Sequence, residues 1–475
     1  MNTLVKIGLL VAVGLWVTIA VAADPQTDAP AAEKQFQGWL AAFNRGERAP
    51  LQEFLRNNKS DGADDVDGLL RFREMTGGFE FKRSEESAPT RHVALLKEKG
   101  SDTFVRATTE VEEAEPHKIK SVQLLATATP AEFRIAPMAE QDAIAAVKKF
   151  AEERTASDRF SGAVAISRHG QIIFEHAYGL ADREKKTTNT LQTRFRMGSM
   201  NKMFTATAIL QLAQAGKLKL TDPFGNYLTD YPNKDVATKV TIHELLTHTG
   251  GTGDIFGPEF DAHRLELKTL QDYVKLYGQR ELQFEPGSKW DYSNYGFVLL
   301  GVIVEKTSGQ DYYEFVREHI FKPAGMTLTD SLPEDQSVPG RSVGYMKPEG
   351  GTDWTSNSDT LPYRGTSAGG GYTTVGDLLK FADALFAYKL LDKAHTELLT
   401  TGHADMPMGS KYAYGFMDIR DKESHWFGHG GGAPGMNGDL RIFPRSGYVV
   451  AVLSNLDPPA AESISRYASN RLPEK

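Results

Sequence analysis

The stretch Met203-Phe204-Thr205-Ala206-Thr207-Ala208-Ile209-Leu210 is apolar nearly all round, and its helical pattern stops at Gly216. A helix of that composition has no face to offer solvent, so other elements must enclose it on every side. The chain's 475 residues, room for two to four domains, suffice to build that enclosure. Ser199 falls in the first turn of this helix, and Lys202 follows at i+3 on the same face, with its amine in reach of the hydroxyl. For an isolated Ser-x-x-Lys, a helix cap beside a solvated lysine is the simpler reading. Here the lysine sits in a helix with almost no polar side, and a buried lysine needs a reason. Desolvation lowers the pKa of such an amine until it can take the serine proton, and the helix amino terminus adds positive potential where an oxyanion would form.

Composition narrows the alternatives. Cysteine is absent, which removes disulfides, thiolate metal sites and thiol nucleophiles together. With 54 Lys plus Arg against 62 Asp plus Glu and no basic block, nucleic acid is not an expected partner.

The organisation of the chain is legible in outline. Lys6 precedes an uncharged apolar run from Ile7 to Ala23 that ends in Ala20-Val21-Ala22, the pattern of a signal peptide over residues 1–23, cut after Ala22 or Ala23. The rest of the protein is then expected in the periplasm or secreted, and an uncleaved amino-terminal segment would be its one membrane contact. Residues 24–137 read as an accessory α+β module. Helical periodicity over Phe36–Phe43, Leu51–Leu55 and Val66–Met75 gives way to strand patterns at Phe79–Lys82, His92–Leu96, Thr103–Thr108 and Ile119–Leu125. Helices followed by antiparallel strands resemble cystatin-like or nuclear-transport-factor-2-like folds, and nothing in the stretch pairs a nucleophile with a base. Residues 138–475 are expected to form the main domain. Strands at Gly162–Ser167 and Ile172–Tyr178 return only late, at Asp439–Phe443 and Tyr448–Ser454, before a last helix over Ala460–Arg471. That order predicts an α+β fold, an antiparallel sheet closed by both chain ends and flanked by helices, beside an all-helical lobe.

Two further elements carry chemistry. Tyr292 and Asn294 sit where the loop Glu285–Ser293 enters an apolar helix, Phe297–Val304. A tyrosine there can shuttle a proton, and an asparagine amide can hold both Lys202 and a substrate carbonyl. The segment His425–Gly435 reads as a glycine-rich loop whose backbone can approach a substrate and offer N–H groups. Two competing patterns fail on context. Gly365-Thr366-Ser367-Ala368-Gly369 resembles a nucleophile elbow but lacks the apolar strand that must precede one, which leaves Ser367 as a loop residue near the site rim. His243 and His248 are five apart, on different faces of a helix, so a zinc-protease site is not expected, nor any other metal or cofactor.

Ser199-x-x-Lys202, Tyr292-Ser293-Asn294 and His429-Gly430-Gly431, in that order, resemble the three motifs of the penicillin-recognising serine hydrolases, in the class C β-lactamase-related branch of esterases and D-aminopeptidases. The phrases Ile242–Gly251, Tyr292–Gly301 and Gly369–Thr374 agree with that branch, and the likeness covers about Phe160 to Leu456. It implies Ser199 as acylated nucleophile, Lys202 and Tyr292 as base and proton shuttle, and Asn294 as positioner. His429, Gly431 and Gly432 would line the substrate, with an oxyanion hole from the amides of Ser199 and Gly432. The implied activity is hydrolysis of a small or peptide-like ester or amide through an acyl-enzyme. Where many β-lactamases have lysine, this chain has His429, mostly neutral at pH 7, which argues against strong β-lactamase or DD-carboxypeptidase activity. A non-catalytic peptidoglycan-binding or sensor protein is the alternative of another class.

Overall fold

The computed structural model describes residues 29–60, 65–348, 351, 353–420 and 424–473. The amino-terminal run read as a signal peptide lies outside them. Among the described residues no helix is long and apolar enough to cross a membrane.

Three helices open the described chain: α1 (Ala31–Arg45), α2 (Arg48–Asn58) and α3 (Val66–Thr76). Helix α1 buries Ala32, Phe36, Trp39, Ala42 and Phe43, one face at helical spacing, and stops at Gly46, which takes the left-handed conformation. Helix α3 starts at Asp65, whose carboxylate accepts from the Gly68 N–H. Strands β1 (Phe79–Ser87), β2 (Arg91–Glu98), β3 (Phe104–Val111) and β4 (Ile119–Thr127) then pair in sequence order as an antiparallel sheet. The three helices pack on one face of it through Phe36, Trp39, Phe43 and Phe79, with the Phe43 and Phe79 rings stacked 5.5 Å apart.

Helix α4 (Glu140–Ala156) leads into β5 (Gly162–Arg168) and β6 (Gln171–Tyr178). The chain then leaves the sheet for a largely helical excursion that includes α5 (Asn201–Gln214) and α6 (Asn294–Ser308). It returns in β7 (Met417–Arg420), β8 (His425–Ala433), β9 (Met436–Ile442) and β10 (Tyr448–Ser454), and α7 (Ala460–Ser469) follows. In the eight-stranded antiparallel sheet β10 lies beside β5, with Ala451 opposite Ala165, so the two ends of the domain close it.

Both faces of this sheet are covered, and the alternation along β5 shows how. Ala163 and Ala165 face the helical lobe, whereas Val164 and Ile166 face α4 and α7. The enclosure demanded by α5 is complete, since every residue from Asn201 to Leu210 is buried. Helix α6 buries Asn294 to Val304 against it and ends at Gly309 in the left-handed conformation. One local expectation is corrected: His425–Ala433 is a strand, not a loop, because its glycines pair in register with β9, Gly431 opposite Gly438.

Candidate active site

Ser199 lies on a single 3-10 turn, Gly198–Met200, immediately before α5 rather than within its first α-helical turn. The turn is wedged between two backbones. On one side the Met197 N–H donates to Gly371 O at 2.8 Å and the Gly370 N–H donates to Gly198 O at 3.1 Å. On the other runs β8, so close that a Cβ on Gly431 would fall 1.9 Å from Met197 O and 3.0 Å from the Ser199 nitrogen. Gly198, at φ +52°, faces the same strand, and a Cβ there would meet the Gly432 nitrogen at 2.8 Å. Only glycine at these positions lets the amide of Gly432 approach the turn that presents Ser199.

Lys202 is fully buried. Its Nζ lies 3.4 Å from Ser199 Oγ and donates to Asn294 Oδ1 and to Ala368 O, both at 2.7 Å. It also sits 4.6 Å from the centre of the Tyr292 ring and 5.4 Å from that of Phe297. Burial brings its pKa down to about 7, against the opposing pull of the Asp254 carboxylate. The partners are themselves held. Asn294 donates from Nδ2 to Asp254 Oδ2 and from its backbone N–H to Oδ1, each at 3.2 Å. The carbonyl of Ala368 is fixed by its neighbour: Ser367 Oγ donates to Phe297 O at 2.9 Å, and Thr205 Oγ1 donates to Ser367 O at 2.7 Å. Ser367 is therefore fully buried beneath the site rather than at its rim, and its hydroxyl is committed to the backbone of α6.

Tyr292 stands beside Ser199, with burial pushing its phenol pKa up and a hydrogen bond to Ser199 opposing that rise. Behind it is an aromatic wall, with ring centres 4.3 Å away for His248, 6.3 Å for Trp290 and 6.5 Å for His429. His248 is buried, and its Nδ1 accepts from the Ser293 N–H at 3.1 Å. Burial and the nearby Lys202 and His429 hold it well below the usual histidine range, so it is neutral. His429 is neutral for the same reasons, its pKa lowered to about 4 by burial and by Lys202. Its Nδ1 faces Gly430 O, which can only accept, so that nitrogen carries the proton. Nε2 then accepts from the Tyr412 hydroxyl at 3.0 Å. Both ring nitrogens are thus committed within the protein.

The structure brings Ser199, Lys202, Tyr292, Asn294, His429, Gly431 and Gly432 into one cleft between sheet and helical lobe. Asp254, His248, Ala368 O and Tyr412 are additions that spacing alone did not mark. The nearest signal was the run His248–Gly251, which precedes Asp254 by a few residues. His243 points elsewhere, its Nδ1 2.8 Å from the Tyr414 hydroxyl, and among the described residues no cluster of His, Asp and Glu could hold a metal.

Comparison with known proteins places this geometry. Residues 147–473 match the Beta-lactamase family. PbpX of Bacillus subtilis is 34% identical over 296 residues, 62% of this chain and 70% of that protein. The crystal structure of a penicillin-binding protein from Bacillus halodurans superposes with a TM-score of 0.61 at 32% identity, covering 66% of this chain and 97% of that one. A D-stereospecific amidohydrolase from Streptomyces sp. superposes with a TM-score of 0.58 at 28% identity, over 69% of this chain and 98% of that one. The family match spans more than half of the sequence and contains the whole Ser199 cleft, and the protein is accordingly a serine hydrolase of the Beta-lactamase family.

Proposed function

We propose that the protein hydrolyses an ester or amide through an acyl-enzyme on Ser199. The observation that carries this reading is a buried amine with a pKa of about 7, 3.4 Å from the serine hydroxyl, which also donates to an amide oxygen and a backbone carbonyl. Neutral Lys202 takes the Ser199 proton as Oγ bonds to the substrate carbonyl carbon. The amides of Ser199 and Gly432 receive the oxyanion. When the bond to the leaving group breaks, that group takes a proton from Tyr292, which recovers one from the Lys202 ammonium. Tyr292 serves as the acid because burial favours its neutral form and the Lys202 amine lies 4.6 Å from its ring to return the proton. Water then attacks the acyl carbon, its proton passing to Lys202 and one returning to Ser199 Oγ.

The substrate class follows from charge. His429 is neutral with no nitrogen left to donate, so a substrate carboxylate finds no fixed cation at that position. This favours neutral acyl groups, small esters or amides of D-configured residues, over β-lactams and peptides ending in a free carboxylate. The likeness to a D-stereospecific amidohydrolase supports the amide reading. The apolar amino-terminal run supports work in the periplasm or outside the cell. The test is labelling by a fluorophosphonate together with turnover of a nitrophenyl ester, a D-amino acid amide and a chromogenic cephalosporin. Labelling and turnover lost in Ser199→Ala, with the cephalosporin the poorest substrate, is the expected result. Labelling that persists in Ser199→Ala refutes the assignment.

A further inference from the structure

The amino-terminal module and the catalytic domain meet around one turn. The segment between β2 and β3 is held by three arginines of the catalytic domain. Arg471 pairs with the buried Asp102 at 2.6 Å, Arg466 donates to Thr103 Oγ1 at 2.8 Å, and Arg154 donates to Gly100 O at 2.9 Å. Beside this seam lies an open groove with a cavity volume of about 100 Å³, walled by α3 of the module, by the end of α4 and by the segment that follows β10. Met75, Trp354, Leu456 and the Pro458-Pro459 pair supply its apolar surface, and Met75 is 46% exposed.

The charges of the groove do not balance. Each of its three carboxylates is engaged: Glu74 pairs with Lys347, Asp158 with Arg183 at 2.7 Å, and Asp457 accepts from the Gly435 and Lys347 amides at 2.7 and 2.9 Å. Arg154 and Arg159, in contrast, have no carboxylate within ion-pair distance among the described residues. Arg154 is only 6% exposed, and its Nε has no hydrogen-bond partner. Arg159 Nη1 lies 3.5 Å from the place a Cβ on Gly100 would take, so both guanidiniums converge on that one turn residue. Burial and the charge of Arg159 together bring the Arg154 pKa down to about 10. Glu98 acts on Arg154 only from a distance, and burial pushes its own carboxyl up, toward the neutral form. Two crowded guanidiniums in a half-dry groove are relieved by an anion that accepts hydrogen bonds from both.

We propose that this groove binds an amphiphilic anion, a molecule with one carboxylate or phosphate headgroup between Arg154 and Arg159 and an apolar tail along Met75, Trp354 and Pro458. The site is separate from the Ser199 cleft, and it exists only where module and hydrolase domain adjoin, because each contributes a wall. The full-length protein is titrated, below micelle formation, with dodecanoate, dodecyl phosphate and dodecyltrimethylammonium while tryptophan emission is followed. Saturable binding of at least one anion and none of the cation is expected, and the two anionic arms separate a fatty-acid headgroup from a phosphate one. Arg159→Glu should weaken anion binding by at least about tenfold, and Arg159→Gln should weaken it less, while ester hydrolysis at Ser199 stays unchanged in both. Trp354→Phe should remove the optical signal but not the heat of binding. Equal affinity for the cation, unaltered affinity in both Arg159 variants, or no saturable binding of either anion overturns the proposal.

Discussion

Replacing Asp254 by alanine should make the enzyme active at lower pH. In the proposed mechanism hydrolysis requires neutral Lys202, so kcat/KM should rise with pH through the lysine pKa, about 7 in the native protein. The Asp254 carboxylate favours the ammonium form, and removing it should therefore lower that pKa and move the acid limb down. The magnitude follows from the relay: Lys202 Nζ is 2.7 Å from Asn294 Oδ1, and Asn294 Nδ2 is 3.2 Å from Asp254 Oδ2. Across the amide the two charges are about 7 Å apart, and with an effective dielectric constant of about 20–40 their attraction is about 1–2.5 kcal/mol, or about one to two pH units. Alanine is the informative replacement, because asparagine could turn its own NH₂ group toward Asn294 Nδ2. The assay is the pH dependence of kcat/KM for a neutral nitrophenyl ester, with the limb expected to move from about 7 to between about 5 and 6. The plateau rate should fall as well, since Asn294 loses an anchor. A limb that stays in place or moves upward would refute the argument that a neutral Lys202, tuned by Asp254, limits the reaction.

Lys202→Ala and Tyr292→Phe should each slow acylation by about 10² to 10⁴-fold in rapid-mixing experiments, the usual worth of a positioned acid or base. Ser367→Ala should leave labelling at Ser199 intact yet lower stability by about 1 kcal/mol in denaturant titration, because its buried hydroxyl donates to Phe297 O. A protein beginning near Ala139 should still turn over a small ester, since Ser199, Lys202 and Tyr292 all lie beyond the module; its melting temperature should drop as Arg154, Arg466 and Arg471 lose Gly100, Thr103 and Asp102.

Much of the architecture was legible because its causes are local or periodic. The pairing of Ser199 with Lys202 follows from helical spacing, and the enclosure of α5 follows from its lack of a polar face. The short apolar runs at Gly162–Arg168 and Tyr448–Ser454 mark strands covered on both faces whatever they pair with. The same periodicity says nothing of distant partners. That Lys202 is held by Asn294, 92 residues on, and by the carbonyl of Ala368, 166 residues on, depends on three segments converging in space. So does its pKa, because desolvation is set by everything packed around the amine rather than by its neighbours in the chain.

The glycine-rich segment shows the limit from another side. Glycine signals permissive backbone, which suits a loop, and only pairing with β9 and the press of the Ser199 turn make His425–Ala433 a strand. For His429 the residue type alone determined a group that titrates near neutrality. The fold decided that it stays neutral and turned inward, by burying it, placing Lys202 nearby and giving its two nitrogens to Gly430 O and the Tyr412 hydroxyl. Ser367 had the flanking glycines of a nucleophile, and tertiary packing set it beneath the site instead, against the backbone of α6. Residue chemistry and periodicity are properties of the chain, whereas burial and long-range hydrogen bonding exist only after the chain has closed on itself.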